Sequence, residues 1–488
     1  MAETVENTYH DLSYNLAKDI VVNSPENLPY SFSVTVKDAG AAGGTSIQIS
    51  RPGESSKTYI IANRDHASYL NFFEKLSKDY GLRLPQNRKP ATAPTFKVHY
   101  REVLTDNIAP GILYGYGDPA VLKVGEGDDA MYYLAATSND APDSFPMLRS
   151  KNLVDWDFVQ YVFPKGKKPA WSADGEMISD YWAPEMHKVG NEFRIYFVAR
   201  DKYTSELCIG MARSSHPEQP FYAEAEPILK DNVIDPHLFV EENNNVYLYW
   251  KEDNNEVWPG KLLDLLYENP HLISTLFTNK EDQVTASFIV TIWPWAQTLA
   301  PMERFQVIQV FIEAIISRYA DFYNELFALG KEASAKREAV SAVLHFMKTP
   351  MYAQLLTEDG TALTGERTKI LENDLAWEAH LVEGMWVTKH QNKYYLFYAG
   401  NDFSTDQYGI GVAIADSPLG PFTKIPKQLL QSTSEWAAPG HPSIVIGPDG
   451  LHHMFLHAYF PGEAGYKKFR GLLSVTLSLE NENVMLHP

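Results

Sequence analysis

The sequence predicts a mainly β protein: a five-bladed β-propeller with a small N-terminal α+β appendage and a helical insertion between the third and fourth blades. Three observations predict it. Five short aromatic-rich strand candidates recur, at residues 131–134, 193–197, 246–250, 394–398 and 452–456, each just after a Gly/Asn/Asp turn. A distinctive side chain precedes each one: Asp118, Trp182, Asp235, Glu383 and His441 lie 13, 11, 11, 11 and 11 residues ahead of the strand starts. The starts themselves are 62, 53, 148 and 58 residues apart, and all but the third interval suit four-stranded blades.

In chain order, residues 31–36, 46–50 and 57–61 read as strands by alternation and turn signals. Asp65 then caps a helix that runs to about Tyr80 and ends at Gly81. Residues 1–95 thus form the α+β appendage with its linker, the Pro-, Ala- and Thr-rich stretch 88–94. Blades one to three occupy 96–262. The long third interval coincides with a change of pattern: Phe305, Ile308, Phe311, Ile315, Phe322 and Leu326 recur at helical spacing among good helix formers. A helical insertion at 263–370 accounts for it, and blades four and five follow at 371–488. Equivalent positions of successive blades would converge on one funnel.

Composition narrows the partners. Sixty-two acidic against forty-two basic residues, a formal charge of −20, disfavour nucleic acid and anionic membranes. A neutral substrate such as a sugar suits this surface, and 13% aromatics fits flat ligands, although strands and core account for most of them. Cys208 is the only cysteine, which excludes an intramolecular disulfide. The longest apolar runs, such as 287–295, are too short for a membrane span. No signal-peptide pattern opens the sequence, so it reads as cytoplasmic; a leader removed from the natural protein would make it secreted or periplasmic.

Asp118 in Gly117-Asp-Pro, Asp235 in Ile234-Asp-Pro and Glu383 in Val382-Glu-Gly stand in three different repeats among apolar neighbours. Singly, each reads as a turn or cap; their common phase points to a shared site. Glycoside hydrolysis with inversion needs one carboxylate to activate water and one protonated carboxyl on the leaving oxygen, about 6.5–9.5 Å apart. A third acid nearby raises the pKa of the proton donor. Other signals are weaker. Residues 125–127 make a hairpin turn rather than a phosphate loop. His452, His453 and His457 do not form a metal site, because adjacent strand residues face opposite ways.

At these residues the chain resembles glycoside hydrolase family 43, five-bladed propellers that act on arabinose- and xylose-containing polysaccharides. The resemblance is carried by Tyr132-Tyr-Leu-Ala-Ala-Thr-Ser, Leu148-Arg-Ser-Lys-Asn-Leu-Val-Asp-Trp, Trp182-Ala-Pro-Glu, Asp235-Pro-His-Leu-Phe-Val, Val382-Glu-Gly, Tyr394-Tyr-Leu-Phe-Tyr, Ser417-Pro-Leu-Gly-Pro-Phe and Pro439-Gly-His-Pro-Ser. It implies that Asp118 is the general base, Asp235 the pKa modulator and Glu383 the general acid. It further implies substrate contacts from Trp182, as a stacking wall, His441 and Arg470, with Glu185 structural. No cofactor is required, and a structural calcium ion near His441 is compatible with the family. Met385 stands where the family often has Pro.

The function expected is that of an inverting, exo-acting hydrolase releasing terminal α-L-arabinofuranosyl or β-D-xylosyl residues from oligo- or polysaccharides. The helical insertion is a candidate lid or oligomer contact. One alternative is a sugar-binding propeller without catalysis. A retaining fructan or sucrose enzyme is disfavoured by the absence of its Asn-Asp-Pro, Arg-Asp-Pro and Glu-Cys signatures.

Overall fold

The computed structural model describes residues 19–38, 44–86, 98–332, 336–480 and 482–487. The linker read at 88–94 lies outside the described residues. Two compact units emerge: one contains residues 1–88, 259–318 and 324–340, the other 89–258, 319–323 and 341–488.

In the first unit, β1 (Asp19–Asn23), β2 (Ser33–Asp38), β3 (Thr45–Ser50) and β4 (Lys57–Ile61) make an antiparallel sheet in chain order. Helix α1 (His66–Tyr80) follows as expected: Asp65 accepts the Ser68 N–H at 2.8 Å, and Gly81 ends the helix in the left-handed conformation. Helices α2 (Val257–Glu268), α3 (Leu272–Leu276), α4 (Lys280–Ala296), α5 (Pro301–Ile316), α6 (Tyr319–Glu332) and α7 (Arg337–Phe346) come much later in the chain. Four strands and one helix have too little interior of their own. The α1 residue Tyr69 donates to Glu303 of α5 at 2.6 Å, Arg83 pairs with Asp282 of α4 at 2.9 Å, and Phe32 meets Phe288 edge-on at 5.3 Å. The appendage and helices α4 and α5, read separately from sequence, thus pack together.

The second unit opens with β5 (Arg101–Leu104) and continues as five antiparallel sheets. The first is β6 (Ala120–Val124), β7 (Met131–Ala135), β8 (Ser144–Ser150) and β9 (Asp157–Phe163). The second is β10 (Trp182–Val189), β11 (Glu192–Arg200), β12 (Leu207–Ser214) and β13 (Tyr222–Ala223). The third is β14 (Val233–Val240), β15 (Val246–Glu252), β16 (Met351–Leu356) and β17 (Leu363–Leu371). The fourth is β18 (Val382–His390), β19 (Lys393–Gly400), β20 (Gly409–Ala415) and β21 (Thr423–Lys424). The fifth is β22 (Ala437–Ile446), β23 (His452–Tyr459), β24 (Gly471–Glu480) and β25 (Asn483–His487), with β5 also paired to β24.

One boundary needs correction. From the sequence a helical insertion is expected at 263–370, after the third blade. The helices end at Phe346, and β16 pairs with β15 from Tyr247 opposite Leu355 to Lys251 opposite Met351. They therefore interrupt the third sheet between its second and third strands.

All five aromatic strands are the second strands of their sheets. The first strands touch in sequence, β6 on β10, β10 on β14, β14 on β18, β18 on β22, and β22 again on β6. The apolar cores follow the same circuit. Tyr133 and Met147 pack with Phe193 and Phe197, Tyr196 with Leu248, Tyr249 with Leu396, Phe397 with Leu456, and Phe455 with Leu134. Each core joins two neighbouring sheets, so the aromatic strands supply the burial that binds sheet to sheet.

Candidate active site

The first strands share a backbone irregularity. Asp118, just ahead of β6, has φ +50°, Ala183 in β10 +44°, Asp235 in β14 +56°, Gly384 in β18 +57° and His441 in β22 +50°. Left-handed backbone costs a non-glycine residue about 1 kcal/mol or more. In the four later strands it coincides with a register shift against the second strand. Such bulges re-aim the neighbouring side chain. In these four strands they break the side-chain alternation at or beside Trp182, Asp235, Glu383 and His441.

Asp118 is held on every side. Oδ1 accepts from Arg470 Nη1 at 2.8 Å, Oδ2 accepts from the Thr137 hydroxyl, and the backbone N–H donates to His457 Nδ1 at 3.1 Å. Thr137 Oγ1 also accepts the Ala183 N–H at 2.8 Å, which ties the first sheet to the second. Burial works to raise the Asp118 pKa, but Arg470 and then His441, whose Nδ1 is 3.5 Å from Oδ1, hold it well below the usual carboxylate range. His457 is pushed down to about 4, by burial first and Arg470 second, so it is neutral at ordinary pH. Its Nδ1 is an acceptor, and the 3.3 Å approach to Asp118 Oδ1 is not an ion pair.

Glu383 has the opposite environment. Its Oε1 accepts from Tyr408 OH at 2.7 Å, and Oε2 lies 3.3 Å from Lys251 Nζ. Burial above all, with Asp235 assisting and Lys251 opposing, pushes its pKa up to about 7. Asp235 Oδ2 accepts the Gly384 N–H at 2.7 Å and so fixes the turn that carries Glu383. Tyr408 links the two halves, since its ring also stacks on His457 with centroids 6.4 Å apart. Gly384 closes the gap from the other side: a Cβ there would lie 2.9 Å from His441 Nδ1.

The structure thus brings Asp118, His441 and Arg470 together, and Asp235 with Glu383, through shared neighbours. Arg470, expected on sugar hydroxyls, commits Nη1 to Asp118. Trp182 is half-buried and meets Tyr466 edge-on at 6.4 Å. Met385 packs into the apolar core between the third and fourth sheets. Sequence reasoning did not single out Lys251 or Tyr408, met Thr137 only as part of a family-like motif, and weighed His457 only as a rejected metal ligand. Lys251 alone carried a visible signal, a lone lysine ending the apolar run Val246–Trp250.

Elsewhere on the second and third sheets, Glu185 Oε1 accepts from His187 Nε2 at 2.6 Å and His237 Nδ1 at 2.8 Å. The trio has the composition of a metal site. However, His237 Nε2 accepts the Val387 N–H at 2.9 Å, so its Nδ1 carries the ring proton and cannot ligate. Glu185 is a hydrogen-bond anchor between the second and third sheets. A calcium ion beside His441 fits the described residues poorly. The carboxylate at hand is Asp118, already claimed by Arg470 and Thr137, and calcium prefers a shell of oxygens.

The model of the Glycosyl hydrolases family 43 matches residues 110–298 and 343–475. Xylosidase/arabinosidase 43A of Humicola insolens is 25% identical over 264 residues, covering 54% of this chain and 62% of that protein. A xylosidase/arabinosidase of Bacteroides ovatus is 25% identical over 272 residues, with 56% and 62% covered. The chain therefore spans less than two thirds of the length of these curated relatives. Among solved structures, a thermostable family-43 glycoside hydrolase superposes with a TM-score of 0.53 at 22% identity, over 78% of this chain and 94% of that one.

Proposed function

The chain belongs to glycosyl hydrolases family 43, and from that premise we propose that it is an inverting, exo-acting glycoside hydrolase. The substrates are terminal α-L-arabinofuranosyl or β-D-xylosyl residues of plant-type oligo- or polysaccharides, in keeping with relatives named xylosidase/arabinosidase. The five sheets with their circuit of contacts are the blades of a propeller, and the bulged first strands line its funnel.

One observation carries the reading: two carboxyl groups in one polar network are displaced in opposite directions. Asp118 is kept ionised by Arg470, and Glu383 is kept protonated toward neutral pH by burial. Divergent pKa values assign the base and the acid. Asp118 takes a proton from water as that water attacks the anomeric carbon; Glu383 gives its proton to the departing glycosidic oxygen. Water enters opposite the leaving group, so the anomer inverts. Asp235 holds the Gly384 turn and its charge raises Glu383. Trp182 offers an indole face to a sugar ring.

The experiment is hydrolysis of aryl α-L-arabinofuranosides and β-D-xylosides, with the first-formed anomer read by NMR. Asp118→Ala and Glu383→Ala are each expected to lose at least about 10³-fold in kcat. Most activity surviving in either folded variant, or a retained anomer, sinks the assignment.

A further inference from the structure

We propose that Lys251 is a positioning residue for Glu383, directing its acid proton away from the third sheet and stabilising the carboxylate left after proton transfer. The inference rests on the catalytic reading above.

Lys251 is the penultimate residue of β15, opposite Ile234, the neighbour of Asp235 in β14. Its side chain is completely buried, which is costly for an ammonium unless anions surround it. Nζ lies 3.3 Å from Glu383 Oε2 and 3.5 Å from Asp253 Oδ1. Burial works to discharge the amine, but Glu383, Asp253 and Asp235 together hold it as a cation. An ammonium only donates. The Glu383 proton therefore cannot sit between Oε2 and Nζ, which keeps it off the third-sheet side of the carboxyl and free for transfer elsewhere.

Lys251 matters most once the proton has left. Glu383 then carries full charge in a buried site, and an ammonium is its nearest counter-ion. The other groups facing Glu383 are Asp235 and Asp253, which raise its pKa, Tyr408, which donates to Oε1, and Tyr459. His380 and Asp402 stand behind Lys251, with His380 neutral because burial, first, and Lys251 hold it down to about 4. Removing the ammonium takes the nearest cation from Glu383 and leaves Asp235 and Asp253 with the two phenols, so its pKa must rise. The acid becomes weaker, which hurts poor leaving groups more than activated ones.

The test compares pH profiles of kcat/KM for wild type, Lys251→Met, Lys251→Arg and Asp253→Asn, using glycosides of graded leaving-group acidity. For Lys251→Met the alkaline limb is expected to move up by about one to three pH units, with steeper dependence on the leaving group. Lys251→Arg restores most of the wild-type profile. Asp253→Asn removes an acid and moves the limb down, which decides the matter should Lys251→Met fail to fold. A limb that stays put in the folded variants, with only lower stability or a uniform loss of kcat, overturns the proposal. Glu383→Ala, run alongside, separates the two failures: if it stays active, the catalytic reading falls instead. Where no tested glycoside is cleaved, the Glu383 titration is followed by 13C carboxyl NMR in the same variants, with the same expected direction.

Discussion

The Arg470 guanidinium reaches Asp118 across Gly117: a Cβ on Gly117 would lie 1.7 Å from Arg470 Cζ, and Nη1 sits 2.8 Å from Asp118 Oδ1. The absence of a side chain there lets a cation from the β23–β24 connection hold the base. Gly117→Ala is therefore expected to displace Arg470. Asp118 loses its strongest counter-charge, its pKa rises, and kcat/KM falls by about 10²-fold, the scale of a small misplacement of a catalytic group. The acid limb of the pH profile should move up while the alkaline limb stays. Steady-state kinetics from pH 3 to 8 check both.

The wild-type profile follows from the two carboxyl groups. Asp118 stays ionised down to unusually low pH, so the acid limb is displaced far down. Glu383 loses its proton near pH 7, so kcat/KM should fall about tenfold per unit above that point. Stability has a matching sign. The folded pKa of Glu383 is raised from 4.5 to about 7, so its contribution is full below 4.5 and is lost as pH rises through 7. Urea midpoints at pH 5 and 8 should diverge more in wild type than in Glu383→Gln.

How far the sequence led can be judged from particular residues. The aromatic second strands were legible because burial on both faces writes an unbroken apolar run, as in Val246–Trp250. The first strands were hidden. Ala183-Pro184, Asp235-Pro236 and Gly440 break their alternation where the bulges lie, so the acids were found by phase and family likeness rather than by strand pattern. Tyr408 and His457 meet the site only through tertiary packing: no local pattern marks Tyr408, and the histidine cluster that holds His457 pointed to a metal site rather than to Asp118. The shared core of appendage and helices was equally invisible: Tyr69 and Glu303 are 234 residues apart.

Chelation tests the calcium expectation. Because the carboxylate facing His441 already binds Arg470, exhaustive dialysis against EDTA should leave kcat and thermal midpoint unchanged, and added calcium should not raise either. A midpoint that drops on dialysis and returns with calcium would show that oxygen donors assemble there after all. Differential scanning fluorimetry with matched kinetics is sufficient.

Tyr408→Phe probes the link between the two halves of the site. The hydroxyl donates to Glu383 Oε1 at 2.7 Å, a bond that favours the ionised carboxylate, while the ring keeps its stack on His457. Phenylalanine preserves the ring and removes only the donor. The Glu383 pKa should therefore rise, moving the alkaline limb up, in the same direction as loss of Lys251. A hydrogen bond to a charged group is worth about 1.5–3 kcal/mol, so kcat for a poor leaving group should fall by about 10- to 150-fold. Tyr408 makes no hydrogen bond to Asp118, and the ring that stacks on His457 is kept, so the acid limb should hold. If both limbs move together, Tyr408 governs the packing of the whole site rather than the acid alone, and kinetics on Tyr408→Phe against Tyr408→Ala would separate ring from hydroxyl.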